Sequence, residues 1–268
     1  MKYRIGVVSE LLGLSPEGLR LYERTGILSA RRDPSSGNYR MYSHLDITAL
    51  IMARMYHNCG FTMQETERLI NTDSMDTVLR EYAEKRDLLQ AEIDYKQRLL
   101  QLLARTAELI ESIPGRLDRY AVGLRPGMYR FEYVHQDQLI LHRSQYQKFR
   151  FWVQTTPFTF PAQRCLWEDL CDERDSSISA MGILEEDASF FGIREDEDVT
   201  YYPPVKCLTT VVELSGEEAD ATAYLAGLRQ YVWENGISVT GDPIARTILS
   251  MNKKKKYTRY RQVWLPIE

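Results

Sequence analysis

The sequence predicts an α+β multidomain fold, and three patterns along its 268 residues lead to that prediction. Two short helices joined by a turn and followed by a polar hairpin indicate a winged helix-turn-helix. A long helical stretch with apolar residues at three- and four-residue steps predicts a coiled coil. The remainder alternates strands and helices twice, which predicts an α/β domain with two pseudo-repeated halves. We therefore expect domains at residues 1–72, 73–115 and 116–268.

The helix-turn-helix pattern has an apolar helix over residues 5–12 and a second helix over residues 15–24. Ser15 is a good N-cap, and Pro16 suits the first helical position because its missing N–H costs nothing there. Such a second helix fits the major groove of DNA, and the basic hairpin at residues 31–42 is suited to gripping phosphates. The pattern favours DNA binding over a helical hairpin whose arginines are only solvated.

The second helix divides its residues between two faces. Leu19 and Tyr22 lie three apart and can pack on the first helix, so Arg20 and Arg24 face outward. In the hairpin, Asn38 is suited to a positive φ, and the side chains after it offer donors to phosphates. The residues expected to take part in DNA binding are Ser15, Glu17, Arg20, Tyr22, Arg24, Tyr39, Arg40 and Tyr42.

Charge is distributed unevenly along the chain. Residues 1–42 contain seven Lys/Arg and four Asp/Glu, whereas the whole chain has a net charge of −4. A basic head on an acidic body is typical of a protein that touches nucleic acid at one end only. No apolar run is long enough to cross a membrane, and no signal-peptide pattern stands at the start. We therefore expect a cytoplasmic protein without membrane contact.

Metal, cofactor and catalytic signals are weak. The four cysteines form no Cys-x-x-Cys pair, and no histidine lies at zinc-finger spacing from them, so we interpret them as reduced and mostly buried. No Ser/His/Asp set, phosphate-cradling glycine loop or nucleotide fingerprint appears, and four histidines supply little acid–base chemistry. We expect no metal, no cofactor and no enzymatic activity.

The longest helical pattern covers residues 75–113, and Pro114-Gly115 is expected to end it. A lone helix cannot bury its own apolar stripe, so a partner is needed. A second copy is favoured because a two-fold DNA reader needs a homodimer, and packing on the C-terminal domain of the same chain is the alternative. We call this stripe the seam, and it consists of Tyr82, Leu89, Ile93, Lys96, Leu100, Leu103, Ala107 and Ile110.

The region after residue 127 is predicted to mix strands and helices. Strands are expected at residues 128–134, 138–142, 165–167, 179–184, 205–214 and 260–267. Helices are expected at residues 146–155 and 217–235, and Gly236 is expected to end the second of them.

Four motifs in residues 1–72 occur together in one known family: Leu14-Ser15, Leu19-Arg20-Leu21-Tyr22-Glu23, Gly26-Ile27-Leu28 and Tyr39-Arg40-Met41-Tyr42-Ser43. The segment resembles the DNA-binding domain of MerR-family transcription regulators. The resemblance implies that Arg20 and Tyr22 contact DNA from the second helix, and that Tyr39, Arg40 and Tyr42 contact it from the wing. Leu21 and Asn38 depart from the family, which usually has an aromatic residue and a glycine there. Leu21 puts one base or phosphate contact in doubt.

The same resemblance implies a mechanism. The long helices of two subunits form an antiparallel coil, and the dimer occupies a promoter spacer that holds the two polymerase-contact elements too far apart. Ligand binding bends and untwists the spacer, so that RNA polymerase engages both elements.

The C-terminal half resembles GyrI-like effector-binding domains in Tyr202-Pro203-Pro204-Val205-Lys206, Gly216, Gly241-Asp242-Pro243 and Gln262-Val263-Trp264-Leu265-Pro266-Ile267. The resemblance implies a hydrophobic, often cationic small molecule held between aromatic rings beside a buried carboxylate. Gln262 stands where the family commonly has a glutamate, so selection for cations is in doubt unless an acid such as Glu168 or Glu213 substitutes. The residues expected to bind ligand are Trp152, Trp167, Tyr201, Tyr202, Gln262 and Trp264.

The sequence thus favours a dimeric, ligand-responsive regulator that binds a (pseudo)palindromic promoter spacer. One alternative is a GyrI-like small-molecule hydrolase tethered to DNA, which the missing glutamate weakens. The other is an architectural DNA binder without a ligand, which a C-terminal half lacking a cavity would favour.

Overall fold

The structure is a computed structural model that describes residues 2–28, 31–33, 39–136, 138–215, 221–253 and 256–268. It divides into two compact units, Met1–Gln97 and Arg98–Glu268, and one long helix begins in the first and ends in the second. Asn38, Gly216 and the expected start of a helix at residue 217 lie outside the described residues. The boundaries expected at residues 72 and 115 stay predictions.

The first unit contains a small antiparallel sheet and short helices that precede the long one. In chain order the elements are β1 (Tyr3–Arg4), α1 (Ile5–Leu12), α2 (Pro16–Arg24), β2 (Arg31–Asp33), β3 (Tyr39–Tyr42), α3 (His44–Asn58), α4 (Met63–Asn71) and α5 (Met75–Arg116). Strand β3 lies between β1 and β2, which forms the expected hairpin.

Side chains cap the N-termini of helices in the first unit. Ser15 Oγ accepts a hydrogen bond from the N–H of Gly18 at 3.0 Å and starts α2. Ser43 and Thr62 begin α3 and α4 as capping boxes, because each hydroxyl accepts a backbone bond while an acid three residues later accepts the cap N–H. Gly26, with φ of 78°, follows the end of α2, where a glycine readily adopts a left-handed conformation.

Helix α5 is longer than the sequence predicts. Pro114 does not end it, and the helix continues to Arg116, with the N–H of Leu117 still bonded to the carbonyl of Ile113 at 2.9 Å. A proline this close to the end of a helix removes one intrahelical hydrogen bond, and few residues follow that a kink could displace. The expectation of a stop at Pro114-Gly115 was therefore wrong.

The middle of the seam is uncovered within the chain. Leu89, Ile93, Leu100 and Leu103 are 44%, 48%, 67% and 56% exposed. Near its C-terminal end α5 packs on the second unit's own residues, with Ile113 buried against Val211 and Tyr260. Seam residue Ile110 belongs to that packed face, so the alternative of packing within the chain holds for the helix end and not for the middle.

The second unit is built around one nine-stranded sheet. Its elements are β4 (Ala121–Arg125), β5 (Met128–His135), β6 (Gln138–Leu139), α6 (Tyr146–Gln154), β7 (Thr159–Arg164), α7 (Trp167–Cys171), β8 (Ile178–Leu184), α8 (Glu185–Ala188), β9 (Val199–Tyr202), β10 (Val205–Ser215), α9 (Ala221–Tyr224), α10 (Ala226–Glu234), β11 (Ile244–Lys253) and β12 (Lys256–Pro266). The sheet order is β4-β10-β12-β11-β7-β8-β5-β6, with β9 beside β5.

The two halves of this sheet share an order of elements. In each half the strand that comes last in the chain lies between the other two, as β7-β8-β5 and as β11-β12-β10, and the first half additionally contains β6 and α7. The halves meet where β11 pairs with β7. This shared order supports the expectation of two related halves, which stays a prediction about their origin.

Several predicted boundaries in the second unit were wrong. The strand expected at residues 165–167 lies at Thr159–Arg164, and Trp167 starts a short helix instead. The strand expected at residues 138–142 covers only Gln138–Leu139. The helix expected at 217–235 is divided at Leu225 into α9 and α10, and it ends as expected before Gly236, whose φ is 58°.

The sheet has two different faces. Helix α10 covers the outer face of the second half through Leu228 and Val232, which pack with Val263 and Leu265 of β12. The opposite face, which we call the inner face, includes the row Glu132, Ala180, Ala162, Arg246, Gln262 and Val211, because these residues are successive cross-strand partners.

None of the helices among the described residues combines the length and apolar character that a membrane crossing requires.

Candidate nucleic-acid interface and inner cavity

The outer face of α2 carries an exposed cluster of charges. Arg20 Nη1 lies 3.0 Å from one carboxylate oxygen of Glu17, and Arg24 Nη1 lies 2.8 Å from the other. Hydrogen bonds from Arg24 and then Arg20 lower the pKa of Glu17, which therefore stays ionised. Because all three side chains are exposed, these pairs are weak, and phosphate oxygens can replace Glu17 as acceptors.

Glu23 connects α2 to strand β3 of the hairpin. Its two carboxylate oxygens accept hydrogen bonds from Tyr42 Oη at 2.6 Å and from Arg40 Nε at 2.9 Å. Tyr42 is fully buried, and burial together with the bond to Glu23 raises its pKa. The carboxylate of Glu23 thus fixes the hairpin against α2.

The hairpin also carries exposed donors. Tyr39 is 56% exposed, and the guanidinium carbon of Arg4 lies 5.2 Å from the centre of its ring. Strands β1 and β3 are paired, which places Arg4 beside this ring. Arg40 and the α2 arginines therefore form a basic surface that suits a phosphate backbone, and Arg4 adds a positive charge on the opposite face of β3.

The second unit contains a cavity of about 270 Å³ between the inner face and the last turns of α5. Its walls are mainly apolar, and two arginines enter it. The lining residues are Leu102, Leu103, Arg105, Thr106, Leu109, Pro157, Phe160, Leu184, Arg246, Thr247 and Ile248. We call this space the inner cavity.

Two local features shape the inner cavity. A β-bulge between Thr247 and Leu249 shifts the register of β11 against β12, and bulges re-aim the side chains beside them. Gly182 leaves room for the ring of Phe160, since a Cβ at Gly182 would lie 2.7 Å from that ring. The ring of Phe160 therefore packs against Gly182 of the sheet, and it lines the inner cavity.

Arg246 is the charged group at the floor of the inner cavity. Its Nε donates to Gln262 Oε1 at 3.0 Å. Its guanidinium carbon lies 5.5 Å from the ring centre of Phe160 and 5.2 Å from that of Trp264. Burial, and then the charges of Arg105 and Arg116, lower the pKa of Arg246 to about 10, so the group remains protonated at neutral pH.

A second group of arginines lies further along the inner face. Arg130 is fully buried, and its guanidinium carbon lies 5.4 Å from the ring centre of Tyr202. Arg130 and Arg164 each lie 3.3 Å from the same carboxylate oxygen of Glu132. Arg164 also pairs with Asp242 at 2.8 Å. Burial lowers the pKa of Arg130. The contacts with Tyr202 and Glu132 offset only part of the cost of burying its charge.

Comparison with known proteins identifies the first unit. The model of the MerR HTH family regulatory proteins matches residues 3–73. Residues 3–73 are a MerR-family helix-turn-helix domain. This assignment covers α1 to α4 and the hairpin, and it agrees with the basic surface formed by α2 and β3.

Sequence similarity to two curated relatives covers less than half of this chain. The mercuric resistance operon regulatory protein of Bacillus cereus is 29% identical over 119 residues, which cover 43% of this chain and 86% of that protein. Nodulation protein NolA of Bradyrhizobium elkanii is 26% identical over 121 residues, which cover 44% of this chain and 55% of NolA. A cryo-EM structure of an EcmrR–DNA complex aligns with 99% of both chains at 16% identity and a TM-score of 0.35.

The structure leaves most predicted DNA-binding residues of the MerR domain at least partly exposed. Arg20, Arg24, Glu17 and Tyr39 are exposed, whereas Ser15 uses its hydroxyl to cap α2. Two placements correct the sequence reasoning. Tyr22 is 6% exposed and Tyr42 is fully buried, and both rings pack in the core of the first unit. At each of these positions the apolar ring faces inward. The DNA contacts of the exposed residues stay predictions.

The six predicted ligand residues do not form one site. Tyr202, Gln262 and Trp264 share the inner face, although none of them lines the inner cavity directly. Trp152 lies in a different core with Phe131 and Phe158, which corrects its assignment as a pocket wall. The remaining two lie elsewhere: Tyr201 has its ring centre 4.8 Å from that of Tyr129, and Trp167 lines a separate cavity with Glu168.

Sequence reasoning missed two residues that organise these sites. Glu23 stands within the recognised motif, yet its role depends on a contact with β3, seventeen and nineteen residues away. Arg246 lies outside the recognised motifs. Its position opposite Gln262 follows only from the pairing of β11 with β12. Neither expected substitute for the missing glutamate lines the inner cavity: Glu168 is exposed on α7, and Glu213 accepts from Tyr260 Oη at 2.8 Å.

Removing Arg20 and Arg40 separately should separate base reading from phosphate binding. Arg40→Ala should weaken binding to all DNA sequences and reduce the salt dependence of binding, because Arg40 lies on the hairpin. Arg20→Ala should cost about 1–3 kcal/mol and relax the preference at one position per half-site if Arg20 reads a base. Arg80→Ala, an exposed arginine of α5, is the control. Gel shifts at several salt concentrations measure both effects, and unchanged binding by Arg20→Ala at physiological salt contradicts its placement in the interface.

Proposed function

We propose that the chain is a homodimeric, ligand-responsive transcription regulator that binds a (pseudo)palindromic promoter spacer. The observation that carries the proposal is the MerR-family domain at residues 3–73, with Arg20 and Arg24 exposed on α2 beside a hairpin fixed by Glu23. The relative named a mercuric resistance operon regulatory protein is consistent with a regulatory role.

The uncovered seam supports dimerisation. Leu89, Ile93 and Leu100 are large, apolar and at least 44% exposed on one face of α5. Exposed contiguous apolar stripes of this kind are typical of protein–protein contacts, and heptad spacing is typical of a helical partner. A second copy of α5 is the occupant that also supplies the second reading head that a two-fold DNA site needs.

The inner cavity supports an effector role for the second unit. Its walls combine apolar side chains with a few converging polar groups, as ligand sites do. Leu102, Arg105 and Leu109 of α5 form one wall, so a ligand in the cavity would contact the helix that also belongs to the first unit. The presence of this cavity disfavours the alternative of an architectural DNA binder without a ligand. The hydrolase alternative is not favoured, since the family match is to a regulator.

The function is tested on DNA selected by the full-length protein from a random pool. We expect recovery of inverted half-sites, and we expect a ligand found by a thermal-shift screen to change the centre of the spacer far more than it changes affinity. Deforming such a site costs about 1–6 kcal/mol, which the ligand must supply through preferential binding to the distorted state. A fluorescent base analogue at the spacer centre reports the distortion.

Two outcomes separate the mechanisms. Ligand-dependent fluorescence with the protein still bound supports the untwisting mechanism. Release of the protein by ligand, with a spacer centre that never changes, would make the chain a simple derepression switch and contradict it.

A further inference from the structure

We propose that the inner cavity binds a small amphipathic carboxylate and that Arg246 binds its charged group. This inference rests on the proposed function, in which the second unit holds a small-molecule effector, and it names the chemical class of that effector. A cation, the ligand class implied by the resemblance to GyrI-like domains, does not suit this cavity.

Among the described residues that line the inner cavity, Phe160 is the aromatic one, and one of the chain's own cations already lies over its ring. Arg246 lies over both Phe160 and Trp264, at 5.5 and 5.2 Å from their ring centres. Arg125 and Arg130 lie over Tyr202 at 5.5 and 5.4 Å. Cations bind aromatic rings through the negative face of the ring, and at Phe160 the chain's own Arg246 already makes this contact.

Arg246 has donors that the protein does not use. Its Nε is bonded to Gln262, whereas no described residue accepts a hydrogen bond from its two terminal nitrogens, and no described carboxylate pairs with it. A guanidinium fork with two free N–H groups matches the two oxygens of a carboxylate. Gln262 can orient the fork through Nε without neutralising its charge.

The local charge favours an anion. None of the described residues lining the inner cavity is acidic, and Arg105 is a second arginine in its wall. Arg105 is itself engaged by Glu186 and Asp187 of α8, so Arg246 is the less compensated charge. Burial, and then the nearby Arg105 and Arg116, lower the pKa of Arg246, and the charge of Glu186 opposes them only in part. An anion bound to the fork would relieve that cost.

The size and walls of the cavity set the rest of the ligand. A volume of about 270 Å³ is at the lower end for ligand sites, so the occupant is small. Leu102, Leu109 and Phe160 offer an apolar wall beside the charged floor. The combination fits a compact apolar body with one carboxylate at its end.

Three probes of nearly equal shape test the charge preference: 2-naphthoate, 2-naphthamide and 2-naphthamidine, which are negative, neutral and positive. Isothermal titration calorimetry on the full-length protein should show the tightest binding for naphthoate and at least about tenfold weaker binding for naphthamidine, as one charge-assisted hydrogen-bond pair implies. Equal or tighter binding of naphthamidine overturns the proposal, and so does the absence of binding by all three at millimolar concentration.

Variants assign the preference to Arg246. Arg246→Gln should weaken naphthoate binding by about ten- to a hundredfold. Gln262→Glu places a carboxylate against Arg246 and should weaken it similarly without removing the arginine. The double variant Arg246→Gln with Gln262→Glu should prefer naphthamidine. Arg150→Gln, an exposed arginine of α6, is the matched control.

Melting curves identify variants that still fold. A folded Arg246→Gln that binds naphthoate like the wild type, together with an unaffected Gln262→Glu, overturns the assignment. Naphthoate that binds through Arg246 but leaves protein–DNA complexes unchanged supports the anion site and contradicts the proposed regulatory function. The two failures are therefore distinguishable.

Discussion

Replacing two exposed seam residues by aspartate, Ile93→Asp with Leu100→Asp, should convert the protein to a monomer and remove tight binding to a two-half-site DNA. The two positions are one heptad apart and are 48% and 67% exposed, so a second copy of α5 would bury both changes. Losing the second reading head removes the avidity of joint binding, which is worth about 10²- to 10⁴-fold. Analytical ultracentrifugation and gel shifts measure the two effects.

A matched control isolates the seam from the added charge. Ala91→Asp with Gln101→Asp adds the same two charges at exposed positions of α5 that lie off the seam. This control should remain dimeric and bind DNA as the wild type does, because exposed substitutions away from special features change stability by about 0.5 kcal/mol or less. A seam variant that is monomeric in the centrifuge but binds the paired half-sites at full strength would falsify dimerisation as the basis of binding.

Glu23→Ala should impair both the stability of the MerR domain and its binding to DNA. The substitution removes the acceptor of the fully buried Tyr42 hydroxyl, and a buried unsatisfied polar group costs about 1–3 kcal/mol. It also releases Arg40, so the hairpin is no longer fixed against α2. Urea denaturation measures the free energy of unfolding, and gel shifts measure DNA affinity.

A second background separates the two effects of Glu23. In Tyr42→Phe the hydroxyl is absent, so adding Glu23→Ala should lower stability less than it does in the wild type. The loss of DNA affinity should persist in both backgrounds because Arg40 is released in each. Glu10→Ala, an exposed acid on α1, controls for the change in net charge. An equal stability cost in both backgrounds would show that the Tyr42 bond is not what Glu23 supplies.

Local signals in the sequence were sufficient for much of the first unit. Ser15, Ser43 and Thr62 cap helices through contacts within three residues, and short-range chemistry of this kind is readable without a fold. Helical periodicity predicted the buried positions of Leu19 and Tyr22, whereas the family resemblance led to the assignment of Tyr22 as a DNA contact. The error at Pro114 arose because a proline in the last turn costs little.

The second unit was predicted less well because its determinants are non-local. Strand β11 (Ile244–Lys253) was missed altogether, although it joins the two halves of the sheet. Trp152 and Trp264 look alike in sequence, yet one packs in a separate core and the other lies on the inner face beneath Arg246. Only the register of the paired strands distinguishes such residues, and one sequence does not reveal register when both faces are buried.

Leu103 belongs both to the wall of the inner cavity and to the exposed seam. A second subunit seated on the seam would therefore touch the same side chain as an effector does, and the two binding equilibria would form one thermodynamic cycle. In such a cycle, the factor by which effector strengthens dimer formation equals the factor by which dimer formation strengthens effector binding. The effector concentration at which the protein responds then depends on how many copies of the protein the cell contains. The expression level of the protein would therefore help to determine the effector concentration needed for a response.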